Sequence, residues 1–383
     1  MKLGVVGLGN MGTNHAKMLV EGQIAGAELG AVADRNEDRR EQYPEAKHFI
    51  TGDEMIASGE IDGIVIATPH FSHTTLGVAA IEAGLHVLVE KPLSVHKADA
   101  ERLVEAHKRK RTVFSAMLNM RTNPFYRKIK ELVDTGALGE LRRVNWIATD
   151  WFRTESYYAS GSWRATWKGE GGGVLMNQCV HQLDLFQWMF GMPAKVRAFC
   201  QLGRYHDVEV EDDVTSYFEY KNGATGVFIT STGEAPGTNR LEVVGDLGKL
   251  VFENEEIVFT QNRESMAAFS RTSELGFGVP EAWKIGLPRM EGKGGQHREV
   301  MQNFVDCIRD RKVKNLTPAK DGIASVELAN AILYSSLKGE TVKLPLDAKA
   351  YEALLGQLIA TSKPKKKVVK RKASASDFNS SFR

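Results

Sequence analysis

Along the first 120 residues, short β-branched or apolar runs alternate with stretches of helical periodicity, and this alternation predicts βαβ units around a parallel sheet. The runs fall at 3–7, 28–33, 63–67, 86–90 and 113–116, with helical stretches near 11–20, 74–83 and 95–109. The connections are short, as a doubly wound fold requires. From about residue 121 the pattern changes to closely spaced strands with hairpin punctuation. Residues 213–220 and 226–232 flank Lys221-Asn222-Gly223, where Asn-Gly signals a hairpin because both residues tolerate positive φ. Runs at 239–244, 249–253 and 256–261 follow, separated by 245–248 and by Asn254. Helical periodicity returns at 296–311, with Val300, Phe304 and Ile308 on one face, and at 319–337. These two helices are expected at the domain junction. The predicted fold is α/β: an N-terminal Rossmann domain with a doubly wound parallel sheet over 1–120, then an α+β domain with an open, mainly antiparallel sheet over 121–345.

Length and composition agree with that division. A chain of 383 residues exceeds what one hydrophobic core usually supports. Its 42% hydrophobic and 26% charged content is that of a globular protein. Cys179, Cys200 and Cys307 show neither disulfide nor zinc spacing, which points to a reducing compartment. No apolar run approaches the roughly 18 residues of a membrane span. Only Met1 and Lys2 precede the first strand, so no secretory leader is read and a cytoplasmic location is expected. Residues 361–383 hold eight Lys or Arg against one Asp, a local +7 that leaves the rest of a +2 chain at −5. That acidic body offers no basic stripe for nucleic acid, and the basic end reads as a solvated, disordered tail.

Gly7-Leu8-Gly9-Asn10-Met11-Gly12 matches the dinucleotide fingerprint in its proper context, after an apolar strand and at the opening of a helix. Gly7 permits the turn, Gly9 lets backbone approach a pyrophosphate, Gly12 allows close strand-to-helix packing, and the helix amino end faces the anion. Asp34 follows Gly12 by 22 residues at the end of the next strand, where a carboxylate accepts from ribose hydroxyls and repels a 2′-phosphate. NAD is therefore favoured, while the adjacent Arg35 leaves NADP open. Asp34 as a plain turn cap is the alternative. Thr68 and Pro69 close the third strand and are expected to line the cleft. His70 and His73 in the same loop are read as solvent-facing or supporting groups.

Glu90-Lys91-Pro92 closes the strand at 86–90. A lysine at this sheet edge can favour a developing alkoxide, its pKa lowered by partial burial; the alternative is a surface turn. Pro92 can be cis. Further on, Gly171-Gly172-Gly173 precede Asn177, His181 and Asp184, whose spacing predicts one helical face. His181 titrates near neutrality and can take a hydroxyl proton, although a lone helical histidine is often structural. Asn119, Arg121, Tyr157, Trp163 and Arg164 are candidates for contact with a polyhydroxylated ring, with Trp163 as a core anchor the competing reading. His206, Glu209, Glu211, Asp212 and Asp213 resemble a metal cluster, but an acidic solvated turn is the reading preferred, and no metal is assigned.

Over roughly residues 1–345 the chain resembles the glucose-fructose oxidoreductase and inositol 2-dehydrogenase family, Gfo/Idh/MocA. The resemblance rests on Gly7–Gly12, Glu90-Lys91-Pro92, Trp163-Arg164, the glycine run, His181 with Asp184, and Val210-Glu211-Asp212-Asp213. It implies Lys91 and His181 as catalytic residues. It further implies that cofactor contacts come from Gly7, Leu8, Gly9, Asn10, Met11, Gly12, Asp34, Arg35, Thr68, Pro69, Glu90, Lys91, Trp163 and Arg164. Substrate contacts are expected from Asn119, Arg121, Tyr157, Trp163, Asn177 and His181. Two positions depart from the family, which commonly has Asp at 177 and Gly at 179, where this chain has Asn177 and Cys179. Asn cannot act as a base, so the proton relay is expected to rest on His181 and Lys91.

The expected activity is NAD(P)-dependent hydride transfer between nicotinamide and a carbinol carbon of a sugar, glycoside or inositol, unchanged by loss of the basic tail. One alternative is an NAD-dependent glycoside-cleaving enzyme that oxidises its sugar transiently. Another is a non-catalytic nucleotide-sensing regulator. The expected partners are a small sugar or polyol and, by resemblance alone, further copies of the chain in a dimer or tetramer through the C-terminal sheet. Neither nucleic acid nor membrane is expected.

Overall fold

The computed structural model describes residues 1–362; most of the basic segment read at 361–383 lies outside the described residues. The chain opens with β1 (Lys2–Val6), α1 (Asn10–Val20), β2 (Glu28–Ala33), α2 (Glu37–Arg40), β3 (Lys47–Phe49) and α3 (Gly52–Ala57). It continues through β4 (Gly63–Ile66), α4 (Phe71–Glu82), β5 (His86–Val89), α5 (Lys97–His107) and β6 (Phe114–Ala116). These strands form one sheet in the order β3-β2-β1-β4-β5-β6, with every pairing parallel. β1, β4 and β5 read as nearly unbroken apolar runs because helices cover both faces of the sheet. The order reverses between β1 and β4, and the crevice at their carboxyl ends is where such sheets take ligands. β3 and α3 escape the periodicity analysis. The strand is three residues long, and the six-residue helix is fixed by a capping box between Thr51 and Glu54 rather than by an apolar stripe.

The second half contains α6 (Pro124–Asp134), β7 (Leu141–Ala148), α7 (Glu155–Tyr158), α8 (Val180–Phe190), β8 (Lys195–Leu202), β9 (Glu211–Glu219) and β10 (Thr225–Ser231). Then come β11 (Asn239–Gly245), β12 (Gly248–Glu253), β13 (Glu256–Asn262), α9 (Met266–Thr272) and β14 (Ala282–Ile285). The last elements are α10 (Gln296–Arg309), α11 (Gly322–Lys338), β15 (Val342–Lys343) and α12 (Ala348–Thr361). The second sheet runs β14-β13-β12-β11-β7-β10-β9-β8-β15 and is antiparallel except where β7 lies parallel to β10. Gly223 takes the left-handed turn between β9 and β10, and Asn254 with Glu255 takes the one between β12 and β13. Strict alternation along β7 sends Val144, Trp146 and Ala148 into the core. There they join Phe186 of α8 and Leu328 and Ile332 of α11.

Two helices tie the halves together. α10 returns to the first sheet, with Val300, Met301, Phe304 and Val305 in one core with Leu3, Val5 and Leu19. α11 contributes Val326 to the core around β4 and β5 and Leu328, Ile332 and Leu333 to the other. The site between the sheets therefore sits on rigid, doubly anchored elements. Among the described residues no helix is long and apolar enough to cross a membrane.

Candidate active site

At the end of β1 the chain turns sharply at Gly7 (φ +85°), where a Cβ would press to 2.8 Å from the Ala67 carbonyl oxygen. A Cβ at Gly12 would overlap the Gly7 carbonyl, so that glycine is demanded by packing within the protein. Gly9 differs: nothing lies within 4 Å of where its Cβ would be. It caps α1 without a side-chain hydrogen bond, leaving the first amides of the helix directed at open space, which suits a pyrophosphate. Asp34 Oδ2 accepts from the Leu8 amide at 2.7 Å, bringing the carboxylate to the glycine turn. Arg35 is solvent-exposed, while Arg39 approaches the Asp34 carboxylate at 3.4 Å and Arg40 donates to the Asp34 carbonyl at 2.5 Å. The Leu8 side chain is buried in the core, so only its backbone faces the cleft edge. The Thr68 hydroxyl, Asn119 Oδ1 and His181 Nδ1 are buried without a hydrogen-bond partner. Buried polar atoms are rarely left so, and this set, with the open cradle at Gly9, fits a dinucleotide.

The peptide between Lys91 and Pro92 is cis. Lys91 Nζ donates to the Asn177 carbonyl at 2.9 Å and to Asn177 Oδ1 at 3.3 Å. Burial lowers the Lys91 pKa, against the opposing pull of Glu90 and Glu170. His181 is held well below the ordinary imidazole range by burial and then by the Lys91 charge, which keeps it neutral at physiological pH. Tyr157 joins this group through its hydroxyl oxygen, which accepts from Arg164 Nη1 (2.9 Å), Gln178 Nε2 (3.1 Å) and Asn177 Nδ2 (3.3 Å). The Arg164 guanidinium lies 4.6 Å from the ring centres of both Tyr157 and Trp163. Lys91, Asn177, Tyr157, Trp163 and Arg164 thus form one contiguous surface.

Several expectations are corrected by these contacts. Asn177 is not on a helical face with His181 and Asp184, because α8 begins only at Val180 and Asn177 belongs to the turns before it. One helix-like bond forms there, from the Asn177 amide to the Gly173 carbonyl at 3.0 Å, but the Cys179 amide reaches back to Val174 at 2.8 Å and breaks the period before Val180. Arg121, expected at the substrate, is 3% exposed and donates to both Asp184 oxygens (2.6 and 2.8 Å) and to Asp321 (2.7 Å). Asp184 is committed to that pair. Glu90, expected at the cofactor, is buried and already partnered: Oε1 meets His15 Nε2 at 2.6 Å and Oε2 accepts from the Lys91 amide at 3.1 Å. Burial alone would raise Glu90, but the His15 hydrogen bond and charge hold it at about 2. His70 and His73 are buried rather than solvent-facing. His70 Nδ1 meets the Glu170 carbonyl at 3.2 Å, and His73 spans the carbonyls of Pro92 (2.8 Å) and Thr68 (2.9 Å).

The acidic stretch near residue 210 is divided among separate partners. Asp212 takes His206 Nδ1 and the amides of residues 204–206, Glu211 takes the Gly173 and Leu175 amides, and Asp213 pairs with Arg204. Sequence reasoning missed Glu170, Gln178, His15 and His297. Glu170 adjoins the glycine run, a signal that could have found it. His297, depressed to about 4 by burial, reaches the Glu90 and Lys91 neighbourhood from the start of α10, and no local pattern announces that.

Residues 1–117 match the profile of an oxidoreductase family with an NAD-binding Rossmann fold, and residues 126–251 match that of the GFO/IDH/MocA C-terminal domain. Myo-inositol 2-dehydrogenase of Thermotoga maritima is 28% identical over 266 residues, 66% of this chain and 75% of that protein. The scyllo-inositol 2-dehydrogenase (NAD(+)) of Bacillus subtilis is 24% identical over 361 residues, 90% of this chain and 96% of the relative. Among solved structures, the WlbA dehydrogenase of Bordetella pertussis, in complex with NADH and UDP-GlcNAcA, superposes with a TM-score of 0.76 at 25% identity, covering 90% of this chain and 99% of the other. With both halves matched, a doubly wound sheet ending in a dinucleotide turn, and an open second sheet beside it, the chain belongs to the Gfo/Idh/MocA family of NAD-binding oxidoreductases.

Proposed function

We propose that this enzyme interconverts a secondary alcohol and a ketone on a sugar or cyclic polyol, with Lys91 and His181 as its catalytic pair. The observation that carries the reading is the Lys91 ammonium held at the cleft by Asn177 (2.9 and 3.3 Å), beside an imidazole that burial and the same ammonium keep neutral. Bound NAD supplies the hydride acceptor at its nicotinamide ring. The glycine turn and the amino end of α1 hold the pyrophosphate, Asp34 accepts from the ribose hydroxyls, and Thr68 and Pro69 line the cleft with Trp163 and Arg164. Lys91 donates a hydrogen bond to the reacting oxygen and stabilises negative charge there. His181 accepts the hydroxyl proton as the carbon is oxidised and returns it in the reverse direction.

Asn177, Tyr157 and Trp163 offer amide, hydroxyl and aromatic surface to a polyhydroxylated ring. The relatives named for inositol oxidation support that class. On the face of the second sheet turned away from that core, Phe199 and Tyr217 are exposed at 59% and 42%, which supports burial of this face against another copy of the chain. Three unpaired cysteines fit a reducing cytoplasm.

The test is reduced-nicotinamide absorbance with purified protein, NAD or NADP, and a panel of inositols, aldoses and alkyl glycosides, run beside Lys91→Ala. Turnover that disappears in the variant supports the reading. A panel without turnover from protein that still binds NAD refutes the net dehydrogenase.

A further inference from the structure

Lys91 is a partly buried cation that donates to two oxygens, both from Asn177 and both uncharged. The carboxylates that favour its protonated form are Glu90 and Glu170, and Glu90 is already spent on His15 and the Lys91 amide. Glu170 is 2% exposed. Its Oε1 accepts from Asn177 Nδ2 at 2.5 Å and its Oε2 from the Ala165 amide at 2.5 Å. Ala165 is a non-glycine residue at φ +46°, a conformation that needs support, and it directly follows Arg164. One carboxylate therefore grips both the amide that faces Lys91 and the turn that presents Arg164.

A carboxylate only accepts hydrogen bonds, so it can bind the Asn177 carboxamide through the NH2 end alone. That forces the amide oxygen toward the ammonium. We infer that Glu170 is a positioning residue for the reaction: acting through the Asn177 carboxamide, it aims Lys91 and supplies the negative charge that Asn177 cannot. The inference rests on the proposed catalytic reading of Lys91. Burial raises the Glu170 pKa above the ordinary carboxylate range, while Arg164, the Ala165 amide, Asn177 and Lys91 pull it back toward the anion. Around Lys91 stand Glu90 and Glu170 with Arg153 and Arg164, and the histidines His70, His73, His181 and His297, whose titration Lys91 influences.

Glu170→Gln keeps the shape and an acceptor for the Ala165 amide but removes the charge and the constraint on Asn177. With a substrate identified from the panel, kcat falls about 10- to 100-fold, less than the roughly 10²- to 10⁴-fold of a full general acid–base contribution, while KM and the NADH dissociation constant stay within about threefold. Loss of the anion lowers the Lys91 pKa, so the alkaline limb of the kcat profile moves to lower pH. Asn177→Asp added to Glu170→Gln puts a carboxylate directly on Lys91 and restores much of the lost kcat.

A variant with wild-type thermal stability and NADH binding, but unchanged kcat or an unmoved alkaline limb, overturns the inference; so does a double variant that folds without recovery. If Glu170→Gln fails to fold, the same readings are taken on Glu170→Asp, where the shorter carboxylate gives a partial kcat loss with an unmoved limb, and a shifted limb overturns the inference. Lys91 is also titrated directly, through the NMR signal of its isotope-labelled, reductively methylated amine, assigned with Lys91→Arg. A lower Lys91 pKa in Glu170→Gln upholds the inference even if no panel compound turns over, a result that would sink the dehydrogenase reading alone. An unchanged Lys91 pKa sinks the inference.

Discussion

Replacing Asp184 with Ala breaks the buried pair that joins α8 to the segment after β6. Arg121 and Asp184 are 3% and 1% exposed, and the two hydrogen bonds between them measure 2.6 and 2.8 Å. Stripping one partner from such a pair costs roughly 3–5 kcal/mol, mostly because the other charge is left buried. Asp321, with its side chain 32% exposed, still accepts from Arg121 at 2.7 Å, which places Asp184→Ala near the low end, about 3 kcal/mol. Arg121→Met leaves Asp184, among the described residues, with the Gln187 side-chain amide at 3.0 Å, so its cost is equal or greater. The double replacement Arg121→Met with Asp184→Leu removes both charges and costs less than the sum of the singles. Urea unfolding followed by tryptophan fluorescence and circular dichroism measures each loss, with an unchanged m-value as the check that the comparison holds. A loss below about 1 kcal/mol for Asp184→Ala refutes the energetic reasoning. An Arg121→Met protein of normal stability with KM raised tenfold or more returns Arg121 to the substrate site.

Three further outcomes follow from the cleft. Gly9→Ala leaves the stability of the free protein nearly unchanged, since nothing lies within 4 Å of the added carbon, yet weakens NAD binding at least tenfold by calorimetry; Gly12→Ala, which would overlap the Gly7 carbonyl, lowers the yield of folded protein itself. Equal NAD affinity in Gly9→Ala would place the pyrophosphate elsewhere. In the oxidative direction the working form of His181 is the neutral imidazole, and its pKa is depressed by burial and Lys91, so that form survives as pH falls through the ordinary value of about 6.5. The acidic limb of kcat/KM therefore lies below that value, and a limb at or above it contradicts the assignment. Lys91→Ala reduces kcat by about 10²- to 10⁴-fold with the NADH dissociation constant little changed; equal losses in both would make Lys91 a cofactor-binding residue instead.

What the sequence determined by itself is what depends on near neighbours. The unbroken apolar runs of β1, β4 and β5, the glycine turn into α1, and the Asn-Gly hairpin between β9 and β10 all encode geometry within a few residues, so periodicity and turn chemistry expose them. Lys91 and His181 were singled out for the same reason, each standing beside a local marker, the strand-ending Glu-Lys-Pro or the glycine run. Tertiary structure alone decided what those residues meet. His15 finds Glu90 across 75 residues, Arg121 finds Asp184 across 63, and α10 comes back from the far end of the second half to pack on the first sheet. It also decided that the regular helix starts only at Val180, because the Cys179 amide reaches past its helical partner to Val174. Side-chain spacing around position 177 reports a helical period even where the backbone hydrogen bonds break it. Charge pairing between distant segments leaves no period at all: it is fixed only when packing removes both groups from water and makes each the other's cheapest partner.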